Sequence, residues 1–480
     1  MKLEDFLVKE YGYNPDIKEA MQTYIDQWKS WYKGNVKSFH NYFIYNGKRK
    51  VNKHRYTMNM AKEISEDWSD ILWSEKCEIS LKDDKSQKEF DELIDSLDLY
   101  SLINTSIEKS GALGTEATVI SVYDLISNED GMYLDVSDAK TRVDLVDIDW
   151  IYPLSWNNKE ITECAFGSVE YKDGKRYVVL SVHKLADNGN YVIHNHLFSE
   201  TNGMLSEITE QADTMKDFDT KSNVKWFSIF KPLLTNNLFN NSPFGISHYA
   251  NAIDNLKSVD LAFDALQTEL NNGKRRTFVR ADMLSYDDGT QKMVFDENDT
   301  SIYVLPKGAT KDDMIQDDNK DLRTNKQIEA LNTCLNILGN KVGFENDHYK
   351  YENGKVQTAT AVISSNSKMF RRKKKLEIGY ESSIYDLVRA ICYASTEFGK
   401  YNINTDGLVI TFDDSIMEDT ESIANRAMRE VNAGLLSKVE YRMKVFGESE
   451  EVATEKIKQI NEEEPNIDDL LGTRNENNET

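Results

Sequence analysis

The sequence predicts an α+β protein, mainly helical, with one long β-rich region set inside it. Three observations predict this. Only 6 prolines and 23 glycines occur among 480 residues, which leaves room for long uninterrupted helices. Apolar residues recur at steps of three and four over much of the chain, the period of a helix with one buried face. From Glu116 to about residue 232 the period changes to two, that of half-buried strands.

The elements follow in order. Residues 1 to about 113 read as helical and amphipathic. Asp16 can cap a helix after Pro15, and Ile17, Met21, Tyr24, Trp28 and Trp31 follow at helical steps until Gly34. A second helix carries Met58, Ala61, Ile64, Trp68, Ile71 and Leu72, and this spacing assigns its tryptophan to core packing. ATVISVYDL, MYLDVSD, RVDLVDIDWIYPLSW, ITECAFGSVEY, RYVVLSVHKL and YVIHNHLFSE are successive antiparallel strands, with turns at Asp173-Gly174 and Asn188-Gly189.

Helix returns after Ser242-Pro243, a pair that suits a helix start. Tyr249, Ala252, Leu256, Val259, Phe263, Leu266 and Leu270 then alternate steps of three and four, a narrow seam that wants another helix beside it, until Asn271, Asn272 and Gly273. TFVRADML, a turn at Asp287-Asp288-Gly289, KMVF and SIYVLP make a small α/β or β module. Near Asn325 the seam resumes through Ile328, Leu331, Leu335 and Leu338. KVGFENDHYKYENGKVQ is a polar, aromatic loop.

Thr358 to about Phe398 reads as one long helix, up to ~60 Å at 1.5 Å per residue. Its second half has the stripe Leu376, Tyr380, Ile384, Leu387, Ile391, Ala394 and Phe398, whereas SSNSKMFRRKKK in the first half is polar, so a kink is expected between them. LVITF is a short return strand. Three helices separated at Gly434 and Gly447 follow, and an acidic tail from Glu462 is expected to be mobile.

Composition narrows the function. Hydrophobic residues at 39% indicate a folded chain of several domains. Cys77, Cys164, Cys334 and Cys392 lack any CxxC spacing, which suggests neither a zinc site nor a disulfide framework and fits a reducing compartment. MKLEDFLVKEYGYNPD lacks the apolar core of a signal peptide, and no apolar run is long enough to span a bilayer, so a soluble intracellular product without a membrane partner is expected. A net charge of -24 argues against a protein that grips nucleic acid over a wide area.

Chemistry is sparse. The phosphate-cradling pattern GxxxxGK followed by Ser or Thr is absent, as is GxSxG. His194 and His196, two apart on a strand, can point both imidazoles to one face and begin a metal site, and Asp144, Asp147 and Asp149 can hold a metal as in nucleases. Two histidines do not by themselves make a metal site, and solvent-facing strand residues are the better account of the three aspartates. DENDTS and DDNKD lack the glycine and terminal glutamate of a calcium loop, so neither metal nor cofactor is implied.

The order of parts resembles the tailed-bacteriophage portal proteins, particularly the Gp6-like group of long-tailed phages infecting Gram-positive bacteria. Four stretches carry the resemblance: AKEISEDWSDILWSEKCEI; SPFGISHYANAIDNLKSVDLAFDALQTELNNGKRR; NKQIEALNTCLNILGNKVGF with KVQTATAVISSNSKMF; and GLLSKVEYRMKVFGESEEVATEKIKQINEE. Together they span nearly the whole chain.

The resemblance implies a mainly helical portal fold: a β-rich wing at 1–241, stem helices at 242–273 and 321–342 around a small α/β clip at 274–320, and a tunnel loop at 343–357. A long kinked helix and return strand at 358–415, a helical crown at 416–464 and an acidic tail at 465–480 complete it. It further implies a non-enzymatic virion protein, assembled in the bacterial host cytoplasm as a dodecameric ring at one capsid vertex, through which double-stranded DNA is packaged and ejected. The implied partners are other copies of itself, the large terminase subunit, a head-tail adaptor, and the major capsid and scaffold proteins. A metal-dependent nucleic-acid-processing enzyme and a non-portal capsid component are the alternatives.

Residues follow from these roles. Tyr249, Leu256, Val259, Phe263, Leu266 and Leu270 would pack the stem. His348, Lys350 and Lys355 would face DNA from the tunnel loop. Arg275, Arg276, Asp287, Asp288 and Lys292 would meet partners at the clip, or are simply turn residues. Arg371, Arg372, Lys373, Lys374 and Lys375 project around all sides of a helix, so they cannot form one DNA-facing stripe. They pair with acids of an adjacent subunit or support a kinked region, touch DNA in the channel, or form a solvated face.

Overall fold

The computed structural model describes residues 1–45, 47–124, 126–127, 133–135, 139–158, 160–208, 217–273, 276–280, 285–287, 292–294, 302–305, 315–318, 322–350, 367–413 and 420–463. Helix at 48% and strand at 24% place the chain in the α+β class. The expectations for Arg275, Asp288, Lys355, the start of the long helix with its kink, and the acidic tail fall outside the described residues. The chain divides into two compact units, Met1–Glu352 with Arg371–Phe412, and Asn353–Phe370 with Asp413–Thr480.

In the first unit, α1 (Leu3–Tyr11) lays Leu3, Phe6 and Leu7 on an antiparallel sheet, where Val178, Leu180, Val182 and Phe198 complete a common core. α2 (Asp16–Tyr32) buries Ile17, Met21, Trp28 and Trp31. Its cap position is Pro15, not Asp16, which is the first helical residue. After the four-residue α3 (Lys37–His40), the expected helical run is broken by a hairpin of β1 (Asn41–Tyr45) and β2 (Lys50–His54). The reason is legible afterwards: Asn46-Gly47 is a hairpin turn signal, and the aromatic and β-branched residues before it favour a strand.

α4 (Met60–Leu72) buries Ala61, Ile64, Trp68 and Leu72, and β3 (Glu78–Ser80), α5 (Asp84–Leu97) and α6 (Leu99–Leu113) follow. The β-rich region is built as its period requires. It contains β4 (Glu116–Tyr123), β5 (Ile126–Ser127), β6 (Tyr133–Asp135), β7 (Lys140–Asp147), β8 (Ile151–Asn157), β9 (Glu160–Lys172), β10 (Lys175–Leu185) and β11 (Tyr191–Thr201). Three short strands close it, β12 (Met204–Glu207), β13 (Asp217–Asp219) and β14 (Phe227–Phe230). One sheet has the order β12-β11-β10-β9-β8 with β13 beside β11, and another the order β14-β4-β7. Asp173 (φ 52°) and Gly174 (φ 73°) make the β9–β10 turn, both left-handed as a two-residue hairpin turn demands.

His183 on β10 is fully buried between Phe166 and Phe227, with neither ring nitrogen hydrogen-bonded. Burial lowers its pKa to about 3. The unfolded chain therefore binds a proton that the fold refuses, so this group's stabilising contribution is complete above the ordinary histidine range and is lost as pH falls towards 3. Between pH 7 and about 4.5 the loss from this one group is roughly 2–3 kcal/mol. Denaturant midpoints at both pH values should differ less in His183→Leu than in the natural chain; an identical difference would refute the assignment.

α7 (Ile253–Asn272) and α8 (Thr324–Val342) lie side by side as the seams predict. The first begins later than Pro243 suggests: residues 242–252 are irregular with a turn at 248–251, held by bonds such as Ala252 N–H to Tyr249 O at 2.8 Å. Between these helices, β15 (Arg276–Arg280) pairs in parallel with β18 (Ile302–Leu305) and antiparallel with β19 (Ile315–Asp318). β16 (Ser285–Asp287) and β17 (Lys292–Val294) form a separate hairpin. α9 (Ser367–Glu397) belongs to this unit from Arg371 onward, and its whole predicted stripe, Leu376 to Phe398, is buried. β20 (Val409–Thr411) pairs with β3.

The second unit contains α10 (Thr420–Asn432), α11 (Lys438–Phe446) and α12 (Glu450–Glu463). Ser437 and Glu440 form a capping box at the start of α11, and Gly447 ends it at φ 65°. Arg442 grips Glu448 through two bonds of 2.8 and 3.0 Å.

Candidate functional site

The predicted loop and the predicted basic run meet at one aromatic column. Gly343 ends α8 at φ 103°, a conformation that suits glycine, and a Cβ there would collide with the Arg372 side chain. The chain turns at once, with Phe344 N–H donating to Gly339 O at 2.9 Å. Phe344 thereby stacks on Trp68 of α4 at 4.8 Å, and His348 stacks on the Phe344 ring at 4.3 Å and 7°. His348 Nε2 lies 3.2 Å from Asp67 Oδ2, and Trp68 Nε1 donates to Val342 O at 3.3 Å. The root of the loop is docked on α4.

Arg372 sits over Trp68 at 5.7 Å, and His248 lies 5.8 Å from the same ring. Burial pulls the Arg372 pKa below its usual value; an arginine nevertheless stays charged. Burial first, and the Arg372 charge second, push His248 well below the usual histidine range, so it is neutral. Burial and Asp67 raise the Tyr349 phenol. The column thus carries one cation held against the face of a tryptophan.

The remaining cations of the run divide. Lys373 is fully buried and lies 2.5 Å from Glu377 Oε1, while Lys374 lies 3.2 Å from Glu377 Oε2. Arg371 and Lys375 are exposed. Lys350 is half-buried, 3.9 Å from Asp347. Sequence reasoning named Trp68 as core; it gave no sign that the loop root was what covered it.

On α7 the seam is graded. Leu256 and Val259 are buried, Phe263 and Leu266 half-buried, and Leu270 is 44% exposed. Tyr249 is buried just ahead of the helix, its hydroxyl donating to Trp28 O at 3.1 Å. The far end is clamped by Arg323, which donates to both Glu269 oxygens at 3.2 and 2.8 Å. Arg276 stands opposite Asp318 in the β15–β19 register, and Asp287 opposite Lys292 in β16–β17.

The other chemical candidates are already engaged. His194 lies 2.6 Å from Asp217, and His196 lies 2.8 Å from Glu207 and 2.6 Å from the Tyr11 hydroxyl. Asp144 pairs with Arg142, Asp147 with Lys109 and Asp149 with Lys29, so the three carboxylates do not converge. Among the described residues, no group of three or more His, Cys, Asp and Glu side chains is placed to hold a metal.

The first unit combines a helical hairpin with a small strand module between its arms, a loop root docked on α4, and the long helix α9. The family model for phage portal proteins, SPP1 Gp6-like, matches residues 13–469, and the chain belongs to that family. A search of curated proteins gave no match. Membership gives the chain a portal role in the virion capsid, in a family that is generally structural, with oligomeric assembly implied. Among the described residues no helix is long and apolar enough to cross a membrane.

Proposed function

We propose that the chain closes into a dodecameric ring at one capsid vertex and forms the channel through which double-stranded DNA is packaged and ejected. The observation that carries this reading is the family match from 13 to 469, and the graded seam supports it. Leu261, Leu270 and Ile337 are 44–53% exposed on the paired helices of one chain and Leu322, just ahead of α8, is 41% exposed, an apolar surface that neighbours in a ring would cover.

In this reading residues 1–241 are the wing, α7 and α8 the stem, the strands between them the clip, and residues 416–464 the crown. Arg275, Arg276, Asp287, Asp288 and Lys292 offer the clip's charges to the large terminase subunit and then to a head-tail adaptor. His348 fixes the root of the tunnel loop, and Lys350 and Lys355 present cations to passing phosphates.

Negative-stain electron microscopy of the purified chain, paired with its solution mass, tests the ring. Closed rings with a hole near duplex width and a mass near a dodecamer are expected. A monodisperse monomer or dimer in assembly-favouring salt would sink the proposal.

A further inference from the structure

Among its described residues, the β1–β2 hairpin buries no side chain fully within the chain. It is a two-stranded sheet on its own, in register from Asn41 opposite His54 to Tyr45 opposite Lys50. Such a sheet is marginal without something packed on it. Phe43, Ile44 and Tyr45 are 57, 45 and 68% exposed; only Tyr42 and Val51 are half-buried. Because side chains alternate, Ile44 and Val51 share one face and Phe43 and Tyr45 the other, so both faces carry apolar surface.

Its root, by contrast, is fixed. Asp260 of α7, itself buried, lies 3.0 Å from His40 Nε2 and accepts Met58 N–H at 2.9 Å. Asp264, one turn on, accepts Tyr56 N–H at 3.2 Å. Arg55 covers the Phe39 and Tyr42 rings at 4.8 and 4.4 Å. A rooted hairpin with an exposed apolar tip is built to reach something outside the chain.

Charge identifies the partner. Residues 41–56 hold Lys48, Arg49, Lys50, Lys53 and Arg55 and no acid, in a chain of net charge -24. Duplex DNA would attract the cations but would do nothing for Ile44 and Phe43, whose exposed apolar area gains only from a protein surface. An acidic protein surface with apolar ground satisfies both requirements, and another copy of this chain supplies the acid. We infer that residues 41–54 form an arm that docks on the acidic surface of the neighbouring copy and helps close the assembly. This rests on the ring reading above.

The test uses the full chain and two variants, Phe43→Ser/Ile44→Ser/Tyr45→Ser and Lys48→Glu/Arg49→Glu/Lys50→Glu. Sedimentation gives the subunit concentration needed for assembly; circular dichroism and gel shift with a short DNA duplex accompany it. Both variants should keep the natural helical spectrum, since none of the arm's described residues is fully buried, and should need at least about tenfold more protein to assemble. Unchanged assembly of both variants overturns the arm alone. Unchanged assembly with loss of the DNA shift overturns it in favour of a nucleic-acid contact. A natural chain that never oligomerises overturns the ring reading and the arm with it.

Discussion

Trp68→Ala is expected to lower the stability of the first unit by roughly 3–5 kcal/mol, the range for emptying a buried aromatic site. The indole is fully buried and holds three groups at once: Phe344 stacked at 4.8 Å, the Arg372 guanidinium at 5.7 Å and His248 at 5.8 Å. Its N–H also caps the end of α8 through Val342 O. Removing it empties the ground on which the loop root lies, so residues 344–350 should become sensitive to limited proteolysis before the rest of the chain. Phe344→Ala should give a smaller loss of its own, and the double variant should fall short of the sum by about 0.5–1.5 kcal/mol, the worth of an aromatic pair. A Trp68→Ala chain that melts within about 1 kcal/mol of the natural one, with its loop still protected, would show that the column does not hold the loop.

Why some of this was legible in the sequence and some was not follows from the range of the forces involved. The α9 stripe, the seams of α7 and α8 and the long strands β9 to β11 were readable because burial along one face repeats with a fixed local period. The Asp173-Gly174 turn was readable because its backbone conformation restricts residue type. The late start of α7 was not, since Ser242-Pro243 permits a helix without requiring one, and Gly245 N–H is instead taken by Thr115, far off in sequence. The column failed for the same reason. Trp68 lies hundreds of residues before Phe344 and Arg372, and no local pattern says which aromatic covers which. The carboxylates Asp260 and Asp264 left one sign that went unused, two acids one turn apart beside a buried seam position.

The basic run is where local reading and structure differ most in consequence, and Glu377→Gln separates the readings. If the run were a solvated face, or existed to touch DNA, neutralising one acid beside it would leave stability nearly unchanged. Lys373, however, has a fully buried side chain 2.5 Å from Glu377, whose own side chain is 7% exposed. Removing one partner of such a pair leaves a charge in a poorly solvated place, and the expected loss is about 3–5 kcal/mol. Lys374, 40% exposed, can turn to water and cannot take over the role of the acid. The paired replacement Lys373→Met/Glu377→Leu removes both charges and keeps the volume apolar, so its stability should return to within about 1 kcal/mol of the natural chain or exceed it. Urea denaturation of the two variants, read against a gel shift with duplex DNA, decides the matter. Stability loss in Glu377→Gln that the double variant restores makes Lys373 a structural cation of α9; unchanged midpoints with weakened DNA binding would return the run to the channel wall.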